Sequence, residues 1–120
     1  MPDAPRLRLR IHFAGDAMLG PGKADLLETI RATGSISAAA RQMGMSYKRA
    51  WQLVEMLNSM FRVPLVVRTR GGTAGGGAVV TAEGLAVLAD FRALEQVLLE
   101  QGAGALANLT ARLADATDPK

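Results

Sequence analysis

The residues of this 120-residue chain that could best do chemistry lie close together in a short segment. They carry hydroxyl, ammonium, guanidinium and amide groups, and they are Ser46, Tyr47, Lys48, Arg49 and Gln52. Hydroxyl and cationic side chains bind phosphate oxygens. Lysine and arginine can also form hydrogen bonds with guanine, and glutamine can form them with adenine. Such a set on one exposed surface is typical of nucleic-acid recognition.

A helix from Ser46 to about Phe61 is predicted to position these groups, with Ser46 as its N-cap and Pro64 as the break beyond it. Its helical periodicity places the apolar side chains on one narrow core face, namely Ala50, Leu53, Val54, Leu57 and Phe61. The opposite, exposed face carries Lys48, Gln52, Glu55 and Ser59, with Tyr47 and Trp51 on the flank. The first turns therefore point their polar groups to solvent.

A shorter helix precedes this one and makes a corner with it. Ser35-Ile36-Ser37 supplies a hydroxyl N-cap, residues 38–40 are alanines, and Gly44 allows the chain to reverse. Small residues at the crossing and a glycine at the turn are what a helix-turn-helix requires. Ser37 and Arg41 of the first helix join the candidate DNA contacts, although alanine-rich corners also occur in plain helical bundles.

A basic hairpin is predicted after the helical corner. Residues 65–70 form one strand, residues 71–77 a glycine-rich loop, and residues 78–81 the return strand. Arg68 and Arg70 share one strand face and Thr73 lies in the loop, a composition typical of a DNA-contacting wing. A phosphate-binding loop is excluded because Gly77 is followed by strand residues and no lysine is present.

The charge distribution also favours a polyanionic partner for the front of the chain. Residues 1–80 carry eleven basic and five acidic residues, whereas residues 81–120 carry three basic and six acidic residues. The absence of cysteine excludes disulfides, thiol nucleophiles and thiolate metal sites, and a single histidine leaves almost no material for histidine metal clusters or Ser-His-Asp triads. No cofactor or metal is expected, and we expect a cytoplasmic protein without a signal peptide or membrane span.

Four further elements complete the predicted fold, which is mainly α with a small β-sheet. Residues 6–13 alternate strictly between polar and apolar types and predict an N-terminal strand. Pro21 opens and Gly34 ends a first helix. Thr81 caps a long helix from Ala82 to Gln101, and residues 105–114 could form a last one. The long helix is apolar nearly all round, so it is expected to be buried by its own domain on one side and by a partner on the other; a core helix of a monomer is the alternative.

Several of these segments resemble a known family. Ser-Ile-Ser at 35–37, Ser-Tyr-Lys-Arg-Ala-Trp at 46–51 and Gly-Gly-Gly-Ala-Val-Val-Thr at 75–81 resemble the N-terminal DNA-binding domain of the molybdate-responsive regulators (ModE). The resemblance, from about Leu7 to Leu99, implies a winged helix-turn-helix related to the LysR-type regulators. It also implies a homodimer formed through the long helix, for which we select Leu88, Phe91, Leu94 and Leu98.

The expected function is that of a transcriptional regulator that binds double-stranded DNA as a homodimer and is linked to molybdate metabolism. ModE proteins continue into small β-barrels that bind molybdate, and residues 102–120 are too short for one, so no direct molybdate sensing is expected. Residues 1–101 are expected to form the DNA-binding domain and residues 102–120 a short helix and tail. The alternative is a winged-helix protein-interaction module. An enzyme using Asp25 and Glu28 is disfavoured, since carboxylates three residues apart usually form a solvated helix face.

Overall fold

Five helices and two short antiparallel hairpins make up the part of the chain that the computed structural model describes, residues 5–69 and 77–114. In chain order the elements are β1 (Ile11–His12), β2 (Met18–Leu19), α1 (Pro21–Thr33), α2 (Ile36–Met43), α3 (Tyr47–Met60), β3 (Val66–Thr69), β4 (Gly77–Val80), α4 (Ala82–Gln101) and α5 (Ala103–Ala111). The predicted mainly helical fold with small sheets is confirmed. Arg70 and Thr73, which we selected as wing contacts, lie outside the described residues.

The helix boundaries follow from the capping residues that the sequence supplies. Ser35, Ser46 and Thr81 each accept a hydrogen bond from the backbone N–H three residues ahead, at 3.0–3.1 Å. Gly34 and Gly44 end α1 and α2 with φ of 71° and 70°, a left-handed conformation that favours glycine. The predicted bounds of α1, the end of α2 and the starts of α3 and α4 are therefore confirmed, whereas α2 begins at Ile36, inside the segment predicted to cap it.

The core forms where α1 packs against α2, α3, α4 and the second hairpin. The apolar side chains of α1 that fill its centre, Leu26, Leu27 and Ile30, are fully buried. Ala39 and Ala40 of α2 and Ala50 of α3 are also buried, and these small residues let the two helices approach closely. The resulting corner fixes the direction of α3 relative to α2.

Backbone hydrogen bonds fasten the second hairpin to the helical core. β3 and β4 are antiparallel, with Val66 opposite Val80 and Arg68 opposite Ala78. The N–H of Ala78 donates to the carbonyl of Gly34 at 2.9 Å, and the N–H of Thr81 donates to the carbonyl of Leu65 at 2.8 Å. The first bond holds β4 against the C-terminal end of α1, and the second continues the pairing of the hairpin as far as Thr81, the N-cap of α4.

The N-terminal strand is much shorter than we predicted. Only Ile11 and His12 of residues 6–13 pair, and their partner is the two-residue β2, which the sequence analysis missed. Leu7 and Phe13, two of the apolar residues in this alternation, are exposed. The reason is that a strand needs a partner of matching length, and β2 ends at once because Pro21 begins α1.

The last two helices extend beyond the core. Phe91 is the last buried residue of α4, and no residue of α5 is buried. α5 begins at Ala103, two residues earlier than predicted, because Gly104 is accommodated inside the helix. Among the helices of the described ranges, none is both long and apolar enough to cross a lipid bilayer.

An ion-pair cluster joins the middle of α4 to α1. The Arg92 guanidinium lies 2.8 Å from Asp25, 2.6 Å from Glu28 and 3.0 Å from Glu95. Partial burial acts to lower the pKa of Arg92, but the hydrogen bonds to the three carboxylates raise it above its ordinary value. Asp25 and Glu28 are exposed, as predicted, and they hold α4 in place.

Candidate nucleic-acid interface

The start of α3 presents a row of polar side chains to solvent. The Ser46 hydroxyl oxygen accepts from the Arg49 N–H at 3.0 Å, so it caps the helix. Tyr47, Lys48, Arg49 and Gln52 are all exposed, as their helical positions predicted. An ordered first helical turn with free cationic and amide groups is the arrangement that enters a major groove in helix-turn-helix proteins.

The first helix of the corner contributes a smaller polar surface. Ser37 and Arg41 are one turn apart on α2 and both are exposed. The Arg41 Nη1 donates to the Ser37 hydroxyl at 3.4 Å. This pair lies on the helix that crosses the DNA backbone in the general geometry of the motif, where such groups contact phosphates.

Arg68 connects the base of the wing to α3. Its Cζ lies 4.4 Å from the ring centroid of Trp51, which is a cation–π contact. Trp51 in turn meets Tyr47 edge to face, with ring centroids 6.3 Å apart and an interplanar angle of 82°. Three of the side chains near the start of α3 and the wing therefore form one stack, which we call the Tyr47–Trp51–Arg68 stack.

Asn58 provides a second connection between α3 and the wing, and the sequence analysis missed it. Its Oδ1 accepts from the N–H groups of Leu65 and Val66 at 2.8 and 3.1 Å, and its Nδ2 donates to the Val66 carbonyl at 3.0 Å. Asparagine is unfavourable inside a helix unless its amide finds backbone partners. An asparagine in the last turns of α3, a few residues before the strand, was the available signal.

One lysine of α1 is buried. Lys23 of α1 is only 9% exposed, and its Nζ donates to the Met18 carbonyl at 2.8 Å. Burial lowers the pKa of Lys23, and the positive charge of Arg49 lowers it further. The second effect is the repulsion between two like charges, one on α1 and one on α3.

Comparison with known proteins identifies this architecture. Residues 23–85 match the family model of the bacterial regulatory helix-turn-helix proteins of the LysR family. The chain belongs to this family. The match runs from α1 to the first turn of α4, so it includes the helix-turn-helix and both strands of the wing.

Similar proteins support the resemblance that the sequence motifs indicated. The chain is 47% identical over 79 residues to the molybdenum-pterin-binding protein MopB of Rhodobacter capsulatus, covering 66% of this chain and 29% of that protein. It is 39% identical over 77 residues to the DNA-binding transcriptional dual regulator ModE of Escherichia coli K12, covering 64% and 29%. The chain thus spans under a third of the length of these curated relatives.

A solved structure shares the fold of this helix-turn-helix domain. The DNA-binding domain of CbnR, determined as a complex with DNA, superposes with a TM-score of 0.56 at 23% identity. The alignment covers 76% of this chain and 97% of that domain. At this identity the likeness concerns the fold alone, and it confirms the winged helix-turn-helix architecture.

The four residues selected for a dimer interface fall into two groups in this domain. Leu88 and Phe91 are 5% and 1% exposed and belong to the chain's own core, so their side chains have almost no surface left for a partner. Their place in a dimer interface stays a prediction, and the observation beside it is that this stretch of α4 packs against its own domain. Leu94 and Leu98 are 50% and 39% exposed, beside the exposed Val97 and Leu99.

Proposed function

We propose that this helix-turn-helix chain is a transcriptional regulator that binds double-stranded DNA as a homodimer. The observation that carries the proposal is the exposed first part of α3, where Lys48, Arg49 and Gln52 follow the Ser46 cap and lie near the basic base of the wing. Between residues 29 and 80, Glu55 is the only acidic residue against seven basic ones, so this face suits a polyanion.

The proposed contacts divide into two kinds. Lys48, Arg49 and Gln52 would read base edges in the major groove, since they can form hydrogen bonds that differ between base pairs. Ser37, Arg41, Ser46 and Tyr47 would bind phosphates, as would Arg68, Arg70 and Thr73 of the wing. The first group would supply the sequence preference and the second group most of the affinity.

The proposed dimer uses the end of the chain that projects from the core. α4 exposes Leu94, Val97, Leu98 and Leu99 beyond its last buried residue, and an apolar helix surface of this kind is normally covered by a partner. A second copy related by two-fold symmetry would place two α3 helices about one DNA turn, or a small multiple, apart. In this arrangement residues 1–101 form the DNA-binding domain and residues 102–120 add a helix and tail.

The names of the relatives suggest what the regulator controls. They include proteins called molybdenum-pterin-binding, molybdenum transport and ModE. We propose that the target genes serve molybdate or related oxyanion metabolism. We propose no molybdate site within residues 1–120, so the DNA binding of this chain should not itself respond to molybdate.

Selection from a random duplex DNA library, with and without molybdate, tests this proposal. Enrichment of the same inverted repeat under both conditions is the expected result. Enrichment only with molybdate would contradict the proposal that this chain has no sensor of its own. Absence of any enriched sequence would contradict sequence-specific binding and favour the alternative, a winged-helix protein-interaction module.

A further inference from the structure

We propose that Trp51 is a positioning residue, which holds the Arg68 guanidinium against α3 so that β3 and α3 meet DNA as one unit. This inference rests on the proposed DNA binding and assigns a role inside it. The helical periodicity placed Trp51 only on the flank of α3. The contact that suggests more is the placement of Arg68 Cζ 4.4 Å from its ring centroid.

Trp51 is not suited to contact DNA through its polar group. Its indole Nε1 is buried and has no hydrogen-bond partner among the described residues, 5–69 and 77–114. A buried N–H without a partner destabilises the folded state. Phenylalanine would avoid that penalty, so within residues 5–69 and 77–114 the polar edge of tryptophan adds no stabilising contact. What tryptophan offers is the strongest aromatic face for a cation.

The stack reduces the entropic cost that a long arginine side chain carries when it binds a phosphate. A free arginine loses much rotamer freedom when it binds a phosphate, which weakens the contact. Among the described residues Arg68 has no carboxylate within ion-pair distance, so the Trp51 face is what orders it. A guanidinium that lies over a ring keeps its N–H edge available for phosphate oxygens. Arg68 can therefore be ordered before DNA arrives.

The stack also links the wing to the base-reading end of α3. Tyr47 meets the same indole edge to face, one turn before it on α3. A shift of the hairpin that moved Arg68 would disturb the ring against which Tyr47 rests. Trp51 would thus keep the spacing between wing and helix constant, which matters because each contacts a different part of the duplex.

The test is a double-mutant cycle on the affinity for the selected operator, with Trp51→Leu, Arg68→Gln and the double variant. Leucine keeps an apolar side chain but lacks the aromatic face. Arg68→Gln should weaken binding in the wild-type background, and the loss should be about two- to fivefold smaller in the Trp51→Leu background. Arg41→Gln is the matched control, since its loss should be the same in both backgrounds.

A conservative variant separates positioning from stability. Trp51→Phe removes the indole N–H, which has no partner among the described residues, and keeps a weaker aromatic face. It should therefore be at least as stable to urea as Trp51→Leu. It should also recover part of the coupling to Arg68. Equal losses for Arg68→Gln in all three backgrounds would overturn the proposal. A wild-type protein that binds no duplex specifically would overturn the proposed function and this inference with it.

One measurement needs no Trp51 variant and so does not depend on its folding. Trp51 is the only tryptophan of the chain, and its fluorescence reports directly on the stack. Arg68→Gln should change its emission in the absence of DNA, whereas Arg41→Gln should not. An emission spectrum that is identical in wild type and Arg68→Gln would contradict the ordered contact.

Discussion

Asn58 and Val66 bind each other in both directions, with the Asn58 Oδ1 accepting from the Val66 N–H at 3.1 Å and the Nδ2 donating to the Val66 carbonyl at 3.0 Å. The same Oδ1 accepts from Leu65 at 2.8 Å. One amide thus satisfies three backbone groups at the start of β3. Because Asn58 belongs to α3, the strand is tied to the helix that carries the candidate base contacts.

Asn58→Ala should lower the free energy of unfolding by about 1–3 kcal/mol, because partly buried backbone groups lose their partners. Urea denaturation measures this loss. Ser59→Ala is the matched control, since its hydroxyl is exposed and donates only to the Met56 carbonyl within the helix; it should change stability by less than about 0.5 kcal/mol. A loss for Asn58→Ala no larger than the control would refute the anchoring role.

Gly84 lies where α4 passes closest to the second hairpin. A Cβ there would lie 2.7 Å from Val80 Cγ1 and closer still to the Leu65 carbonyl oxygen. Gly84→Ala should therefore destabilise the fold by about 1–3 kcal/mol. Gly22→Ala, where a Cβ meets nothing within 4 Å, should instead stabilise α1 by about 0.4–1 kcal/mol. Thermal unfolding of the two variants should shift in opposite directions, and a shift in the same direction would contradict this packing.

Lys23 gives the stability of the domain a predictable pH dependence. The pKa of Lys23 is lowered from the ordinary 10.5 by burial and by the charge of Arg49. Between the lowered pKa and 10.5, the unfolded chain therefore binds more protons than the folded one. Stability should therefore rise with pH between the lowered pKa and about 10.5 relative to Lys23→Met. Urea denaturation at several pH values from 7 upward should show the free energy of unfolding of the wild type rising relative to that of the variant. A constant difference between the two free energies would contradict the burial of the charge.

The exposed end of α4 should control assembly. The double variant Leu94→Glu, Leu98→Glu would introduce charge into the apolar surface of α4, and we expect the dimer to dissociate. Sedimentation equilibrium should give about 25 kDa for the wild type, twice the chain mass, and about half that for the variant. Met56→Glu, at an equally exposed apolar residue of α3, is the control and should remain dimeric. A wild type that is monomeric at all concentrations would refute the proposed interface.

The sequence predicted the local features of the fold well because they depend on neighbouring residues. Ser35, Ser46 and Thr81 cap helices, and Gly34 and Gly44 end them, through contacts within a few positions. The orientation of α3 also followed from its apolar spacing. Alternation over residues 6–13, in contrast, indicated faces but contained no information about the length of the partner strand.

The contacts that build the candidate interface were harder to predict because they are distant in sequence. Tyr47 and Trp51 share a helix flank and could be paired from their spacing. Arg68 lies in β3, and it reaches Trp51 only because the chain turns back between α3 and β3. Its stacking therefore depends on tertiary packing. The burial of Leu88 and Phe91 similarly depends on how much of α4 the core covers, which periodicity does not determine.

Lys48 and Arg49 provide the test of the division between base contacts and phosphate contacts. Replacing either by alanine should reduce the preference for the selected operator over a scrambled duplex, by about 1–3 kcal/mol for a base-reading side chain. Arg41→Ala should weaken both duplexes alike. Fluorescence anisotropy with the two labelled duplexes measures both quantities. Uniform weakening by all three variants would contradict the assignment of α3 to base reading.

The salt dependence of binding to the selected operator tests the central claim most directly. With about six phosphates neutralised per dimer, the logarithm of the association constant should fall against the logarithm of the salt concentration with a slope of about −5. The operator should also remain preferred over a scrambled duplex throughout the titration. A flat salt response, or equal affinity for the two duplexes, would contradict the account of this helix-turn-helix domain as a sequence-specific DNA-binding regulator.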